Sequence, residues 1–544
     1  MMSKNKANTN ISELAKSQGL MAVDTNEIID ELAISILRSM YRYEDQMPAA
    51  PDSFVIIEGK PGQGTVREEK PADVLAKERS EWAKEVKDQE VMNAKIESAY
   101  KEWTGQNWRE DREKVLSTFL IGPPGHGKTT AFKQASRKVA SALGLIYLEN
   151  PTEEVRVTKE HFLFTSLEFS AENSKMELGG IPAKKTVDGV EYMARLTQYR
   201  LATLKNASGG LLLLDDFSNA SQNIQNLGLS LTDEKRYQGL NLQGIYIGLT
   251  GNMGALDGTN TSRVSSALRG RCEIYFTQDK LANFTHRARL KYRDDLGDAG
   301  FIGFLNKNED YFAVVPDPKQ SGGYPAPRTL DHAIGEVRRL VYDNGGRGTG
   351  ELKAMDKIIR KVSAIIGMDA GHQYGIYLTS LMNSADPLAR KIIFEGKLDE
   401  KSLQQAYDNG FSANSQYFGY QYALALAEYA VNRIAKNEDN ESDDKVLEET
   451  CKRFMSGLIP LEGANLGFAV DNFKLGLALK REDWSKASTN ERSLNTDIKT
   501  KICQAFTKVP GFSKELQQTV VDAITDADKY EATSSYRQRR SSGN

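Results

Sequence analysis

The stretch Gly122-Pro123-Pro124-Gly125-His126-Gly127-Lys128-Thr129-Thr130 limits what this chain can be more than any other part of it. It fits the pattern GxxxxGK[ST], and its flanks fit as well. The β-prone run Val115 to Ile121 leads in, and Phe132, Ala135, Val139 and Leu143 recur behind it at the three-to-four spacing of one buried helix face. Strand, glycine loop and helix in that order make a phosphate cradle. Glycines let backbone N–H groups curl around a polyphosphate, and the helix offers its positive N-terminus. Lys128 reaches the β- and γ-phosphates, and Thr129 supplies a hydroxyl for Mg2+.

With 544 residues the chain is too long for one core, so several domains are expected. Lys+Arg (71) nearly balances Asp+Glu (74), so no overall basic surface advertises nucleic acid as the partner. Cys272, Cys451 and Cys503 lie far apart, fit no metal spacing and cannot form a disulfide framework, which points to a reducing compartment. No apolar run approaches the roughly 20 residues that cross a bilayer. The start of the chain, with Lys4, Asn8 and Asn10, lacks a signal peptide's apolar segment, so a cytoplasmic protein without a membrane partner is expected.

Residues 1–20 are polar and read as disordered; Ile28, Ile29, Leu32, Ile36 and Met40 then mark an amphipathic helix. Pro48, Pro51, Pro61 and Gly62 break that pattern, and from Ala72 to Ala99 alternating Lys and Glu describe an exposed helix. Trp103 and Trp108 follow; they either pack the N-terminal segment onto the next domain or stack on a base, and packing is favoured because Trp rarely stays exposed.

From Val115 to Phe276 strand and helix patterns alternate, the signature of a parallel sheet covered by helices. The candidate strands are Val115–Ile121, His161–Phe169, Leu211–Asp215, Ile245–Thr250 and Cys272–Phe276. Ligands of such sheets bind beyond the C-terminal ends of the strands. The apolar strand Leu211 to Leu214 ends in two carboxylates; Asp215 would help hold Mg2+ through water, and Asp216 would orient an attacking water. Asn252, after the strand that begins at Gly244, either senses the γ-phosphate or is an ordinary turn residue. Arg271 is the first candidate and Arg269 the second for an arginine reaching a neighbouring subunit's nucleotide. Arg328 opens a helix whose inner face is Leu330, Ile334, Val337 and Val341, where a lid could press a cation onto phosphate.

In this order the pieces resemble the AAA+ ATPases: Gly122–Thr129 as Walker A, Leu211–Asp216 as Walker B, Asn252 as sensor 1, Arg271 as finger and Arg328 as sensor 2. Within that group the likeness is to the MoxR-like branch, carried by Leu167-Glu168-Phe169-Ser170-Ala171-Glu172, Leu178-Gly179-Gly180-Ile181-Pro182, Asp215-Asp216-Phe217-Ser218-Asn219-Ala220 and Ala326-Pro327-Arg328-Thr329. The resemblance spans about residues 105–410. It implies an α/β class P-loop core with a five-stranded parallel sheet and helices on both faces, a helical lid, and ATP with Mg2+ hydrolysed at the interfaces of a ring, usually a hexamer. It also implies chaperone-like work on a protein client, often one with a von Willebrand A domain. Most relatives carry Glu where Asp216 stands. Asp is shorter by about 1.5 Å, so either hydrolysis is slow or the loop moves closer.

The resulting layout is a partly disordered helical extension (1–104), the core (105–324), the lid (325–412), an all-α accessory domain (413–530) and a disordered basic tail (531–544). Asp188-Gly189 is a hairpin-turn signal between Thr186-Val187 and Val190-Tyr192. The insert is either a hairpin whose Val187, Tyr192 and Met193 grip a polypeptide or a plain surface loop. Two other functions use the same core: a DNA-acting motor or loader, disfavoured by the charge balance, and a nucleotide-bound structural ring with little hydrolysis.

Overall fold

A computed structural model of the protein describes residues 15–16, 19–58, 65–109, 115–169, 181–187, 190–196, 199–237, 240–259, 261–262, 264–292, 300–343, 355–396, 400–414, 417–437, 441–461, 463–487, 492–507, 509 and 513–525. The chain forms two compact units, one of Met1–Asp279 with Val315–Gln320 and one of Lys280–Val314 with Ser321–Asn544.

In the first unit the elements that matter here are β1 (Met21–Asp24), α1 (Thr25–Met40), α2 (Ala72–Thr104), β2 (Ser117–Ile121), α3 (Lys128–Leu143), β3 (Ile146–Glu149), β4 (His161–Glu168), β5 (Gly209–Asp215), α4 (Gln222–Glu234), β6 (Ile245–Gly251) and β7 (Cys272–Gln278). The seven strands form one sheet in the order β1-β7-β2-β6-β5-β4-β3. Every neighbouring pair in it is parallel. The sheet therefore has seven strands rather than the expected five: the five that the pattern marks are all present, and β1 and β3 add one at each edge. Both additions are four residues long, too short for periodicity to register them. Met21 is 69 % and Ile146 54 % exposed, so neither strand shows an uninterrupted apolar run.

The central strands are buried on both faces, and alternate residues divide between two cores. Leu211 and Leu213 of β5 join Leu120, Phe162, Phe164 and Tyr246 under α1 and α3. Leu212 and Leu214 join Phe119, Leu163, Ile247 and Leu249 on the other side, with Ile224 of α4. A side chain at Gly248 would bring Cβ within 2.5 Å of the Phe132 ring, so glycine there lets α3 lie close on the sheet.

Asp24 caps α1 by accepting a 2.9 Å hydrogen bond from the Asn26 N–H. From that start α1 buries Ile28, Leu32, Ile36 and Met40 in the core that contains Phe132, Ala135 and Val139 of α3. From the segment before residue 105, β1 and α1 complete the sheet unit. Leu32→Ala should destabilise this unit by about 2–5 kcal/mol in chemical denaturation; a loss below about 0.5 kcal/mol would mean that α1 is dispensable to the fold. Trp103 and Trp108 pack on the same core, Trp108 stacked on Tyr41 with ring centroids 4.6 Å apart, so packing is their role here.

Among the described residues three antiparallel hairpins accompany the sheet: Phe54–Glu58 with Thr65–Glu69, Ile181–Val187 with Val190–Leu196, and the short pair Arg236–Tyr237 with Leu240–Asn241. In the second, Val187 pairs with Val190 as the turn signal predicts; Asp188 and Gly189 themselves lie outside the described residues. Ser170 to Gly180 and residues 531–544 lie outside them as well.

Among its described residues the second unit is helical apart from the hairpin Ser485–Ala487 with Arg492–Leu494, so each extension expected to be all-α also carries a short hairpin. One hydrophobic core runs from Phe284 through Leu330, Tyr374, Leu381, Tyr422 and Phe454 to Ile524. The expected division near 412 does not interrupt it, because the helix Phe418–Lys436 is buried on nearly every side and packs both ways. The chain passes between the units after Asp279, after Val314 and after Gln320, the last crossing lying four residues before the expected end of the core at 324. No helix among the described residues is long and apolar enough to cross a membrane.

Candidate nucleotide site

The loop from Gly122 to Gly127 leaves the C-terminal end of β2 and turns into α3 at Lys128. Gly125 (φ 81°) and Gly127 (φ 82°) take left-handed conformations that only glycine adopts without strain, and they wrap the backbone into a concave loop. Pro123 and His126 are buried; Pro124, Thr129 and Thr130 are less so. The Lys128 ammonium, 6 % exposed, donates to the Gly122 carbonyl at 2.8 Å, to that of Pro123 at 3.0 Å and to Asn252 Oδ1 at 2.9 Å. It spans the loop from within.

Beside it, Thr129 Oγ1 donates to Asp215 at 2.9 Å. Asp215 closes β5, Asn252 follows β6, and the pairing Leu249↔Leu214 sets these two strand ends side by side. Asn252 Nδ2 donates to Asp216 Oδ1 at 3.2 Å, and the Asn252 N–H donates to Ser218 Oγ at 2.8 Å. An amide whose oxygen faces Lys128 and whose nitrogen faces Asp216 joins the loop cation to the second carboxylate. Asn252 is therefore more than a turn residue.

Asp216 has φ 52° and ψ 34°, a left-handed conformation in which Asp and Asn are several-fold enriched over other non-glycine residues. Asp accepts this backbone conformation more readily than Glu would. Thr250, fully buried, holds the turn: its hydroxyl donates to Asp215 Oδ1 at 2.5 Å and accepts from the Asp216 N–H at 2.8 Å.

The structure thus brings together Lys128, Thr129, Asp215, Asp216 and Asn252. Thr250 and Ser218 are the residues that sequence reasoning missed. Thr250 had a signal, a lone polar side chain closing the apolar run Ile245–Leu249 and sharing a strand face with the residue two further on. Ser218 had none.

Arg271 is placed elsewhere. It precedes β7, whose Cys272 pairs with Ser117, whereas the loop follows Ile121, about 13 Å further along β2. Its guanidinium donates to Asp233 Oδ2 at 3.1 Å and to the Ala267 carbonyl at 2.9 Å. Cys272 beside it is a packing residue, since burial pushes its thiol up to about 12. Arg269 is exposed at the end of the one-turn helix Ser266–Arg269. Arg328 belongs to the second unit, exposed at the start of the helix Pro327–Asp343.

The donor set suits a magnesium nucleotide. The proton of Thr129 is committed to Asp215, which leaves the hydroxyl's lone pairs for a cation, and the carboxylate beside it is a hard oxygen ligand. A parallel sheet with this loop and these strand ends defines a P-loop nucleotide-binding domain. Residues 117–272 match the family described as AAA domain (dynein-related subfamily), so this part of the chain is an AAA domain. No curated protein matches the chain. Among solved structures, one variant of RuvB from Thermotoga maritima is 13 % identical, with 76 % of this chain and 93 % of that chain covered and a TM-score of 0.20. A second variant of the same protein is 14 % identical, with 76 % and 94 % covered and a TM-score of 0.19. Overlaps that slight bear neither on the fold nor on function.

Proposed function

We propose that the protein is an AAA+ ATPase of MoxR-like type, which couples ATP binding and hydrolysis in an oligomeric ring to the remodelling or activation of a partner protein. The observation that carries the reading is the connected set Lys128–Asn252–Asp216 and Thr129–Asp215 at the strand ends beside the phosphate loop. Residues Gly122 to Thr130 would hold the triphosphate, and Thr129 with Asp215 would hold Mg2+, which supplies charge neutralisation on the phosphates. Lys128 would exchange its loop carbonyls for phosphate oxygens. Asp216 would accept a proton from the attacking water while Asn252 fixes the carboxylate and the γ-phosphate relative to each other. Water attack releases ADP and phosphate.

Arg271 lies at the far end of the sheet from its own loop, which favours a role on a neighbour's nucleotide and hence a ring with shared sites, a hexamer in this reading. Arg328 would add a lid cation. The hairpin Ile181–Leu196 is the candidate contact with a protein client, such as one bearing a von Willebrand A domain. The near balance of charge leaves nucleic acid disfavoured.

ATP turnover and particle mass measured together, over a range of protein concentrations, test this reading. Turnover per chain should rise as the protein assembles, and Arg271→Ala should lower it by about 10³-fold or more in the assembled ring while nucleotide still binds. Full turnover by Arg271→Ala would sink the shared site, and nucleotide binding without turnover would favour a structural ring.

A further inference from the structure

We propose that Thr250 is a positioning residue for both carboxylates of the site, setting the direction of the metal-side acid Asp215 and the left-handed turn that presents the water-side acid Asp216. This rests on the nucleotide-site reading above.

A hydroxyl has one proton to give and lone pairs to receive, and Thr250 uses both kinds of capacity on adjacent residues. Its proton goes to Asp215 Oδ1 at 2.5 Å, the oxygen that also accepts from Thr129 at 2.9 Å. Two hydroxyls converging on one carboxylate oxygen fix the carboxylate plane. The same Thr250 oxygen accepts the Asp216 N–H at 2.8 Å. The Asp216 carbonyl in turn accepts from the Asn219 N–H at 2.8 Å, so the peptide groups on both sides of the Asp216 Cα are pinned. A non-glycine residue at φ 52° is held against its backbone preference, which such pinning offsets.

Thr250 sits on β6, fully buried, and Asn252 leaves the same strand two residues later. One strand therefore sets the acid pair through Thr250 and the phosphate-facing amide through Asn252. Because Thr250 acts through Asp215 and Asp216, its removal should alter metal dependence and the chemical step more than nucleotide affinity.

The test compares Thr250→Val, which has the same shape without the hydroxyl, with Thr250→Ser, which keeps the hydroxyl. Both are measured in the full chain by ATP turnover, by calorimetric ATP binding over a Mg2+ titration, and by thermal melting to confirm folding. The valine variant should raise the Mg2+ concentration needed for half-maximal binding and lower kcat, each by about 10–100-fold, the usual loss when a partner behind a metal-site carboxylate is removed. ATP affinity at saturating Mg2+ should stay within about threefold, and the serine variant should stay close to wild type in every readout. Valine behaving as wild type in Mg2+ dependence, or serine falling as far as valine, overturns the proposal. If the wild-type protein binds ATP without turnover, the hydrolysis reading fails, yet the Mg2+ shift in the valine variant still decides the role of Thr250 either way.

Discussion

Replacing Lys128 by alanine should weaken ATP binding by roughly 30- to 1,000-fold, equivalent to about 2–4 kcal/mol, and take turnover to background. Lys128 is almost wholly buried, and its ammonium donates to two loop carbonyls and to Asn252. A phosphate that replaces those partners gains a charge-assisted hydrogen bond in a site with little water, the setting in which such bonds are strongest. Alanine removes the cation and the spacer across the loop together. Calorimetry with ATP and Mg2+ measures the loss directly. Unchanged affinity would show that the loop's backbone N–H groups and the end of α3 suffice, and that Lys128 serves only to hold the loop.

Asp216→Asn should lower turnover by about 10²–10⁴-fold and leave ATP affinity within about threefold. The choice of asparagine matters for the physics of the comparison. Asn tolerates the left-handed backbone as well as Asp does, so φ 52° and the bond to Thr250 Oγ1 survive the change. What is lost is the carboxylate, the proposed base. Asp216→Glu is the informative companion: it lengthens the acid but places it on a backbone conformation that Glu resists, so it should fall below wild type in turnover and lower the melting temperature by a few degrees, on the order of 1 kcal/mol. Full turnover in the Asn variant would mean that another group positions the water.

Much of the nucleotide site was legible because its chemistry is local. Gly122 to Thr130 is contiguous, and Asp215, Asp216 and Asn252 close strands whose apolar runs, Leu211–Leu214 and Ile245–Leu249, announce burial. Parallel pairing then brings the strand ends together without further instruction. The edge strands were not legible, since four residues pairing on one side only leave no periodic trace. The continuity of the second unit's core was hidden for the opposite reason: Phe418–Lys436 is apolar nearly all round, so no face of it tells which neighbours it joins. Thr250 left only the signal of a polar side chain closing an apolar run, and its two bonds become visible once the partner atoms are placed around it.

The edge strand β1 also bears on the order of events as the chain is made. Met21 to Asp24 find their partners at Tyr275 to Gln278, so the earliest strand of the sheet waits for the latest. Until β7 has emerged β1 has no partner strand, although the apolar side of α1, with Ile28, Leu32 and Ile36, already has α3, β5 and β6 to settle on. Pairings so distant along the chain are slow to form and leave apolar segments open to wrong associations meanwhile. A ribosome stalled shortly before residue 272 would hold a polypeptide with the phosphate loop already synthesised and the sheet on which that loop rests still unclosed.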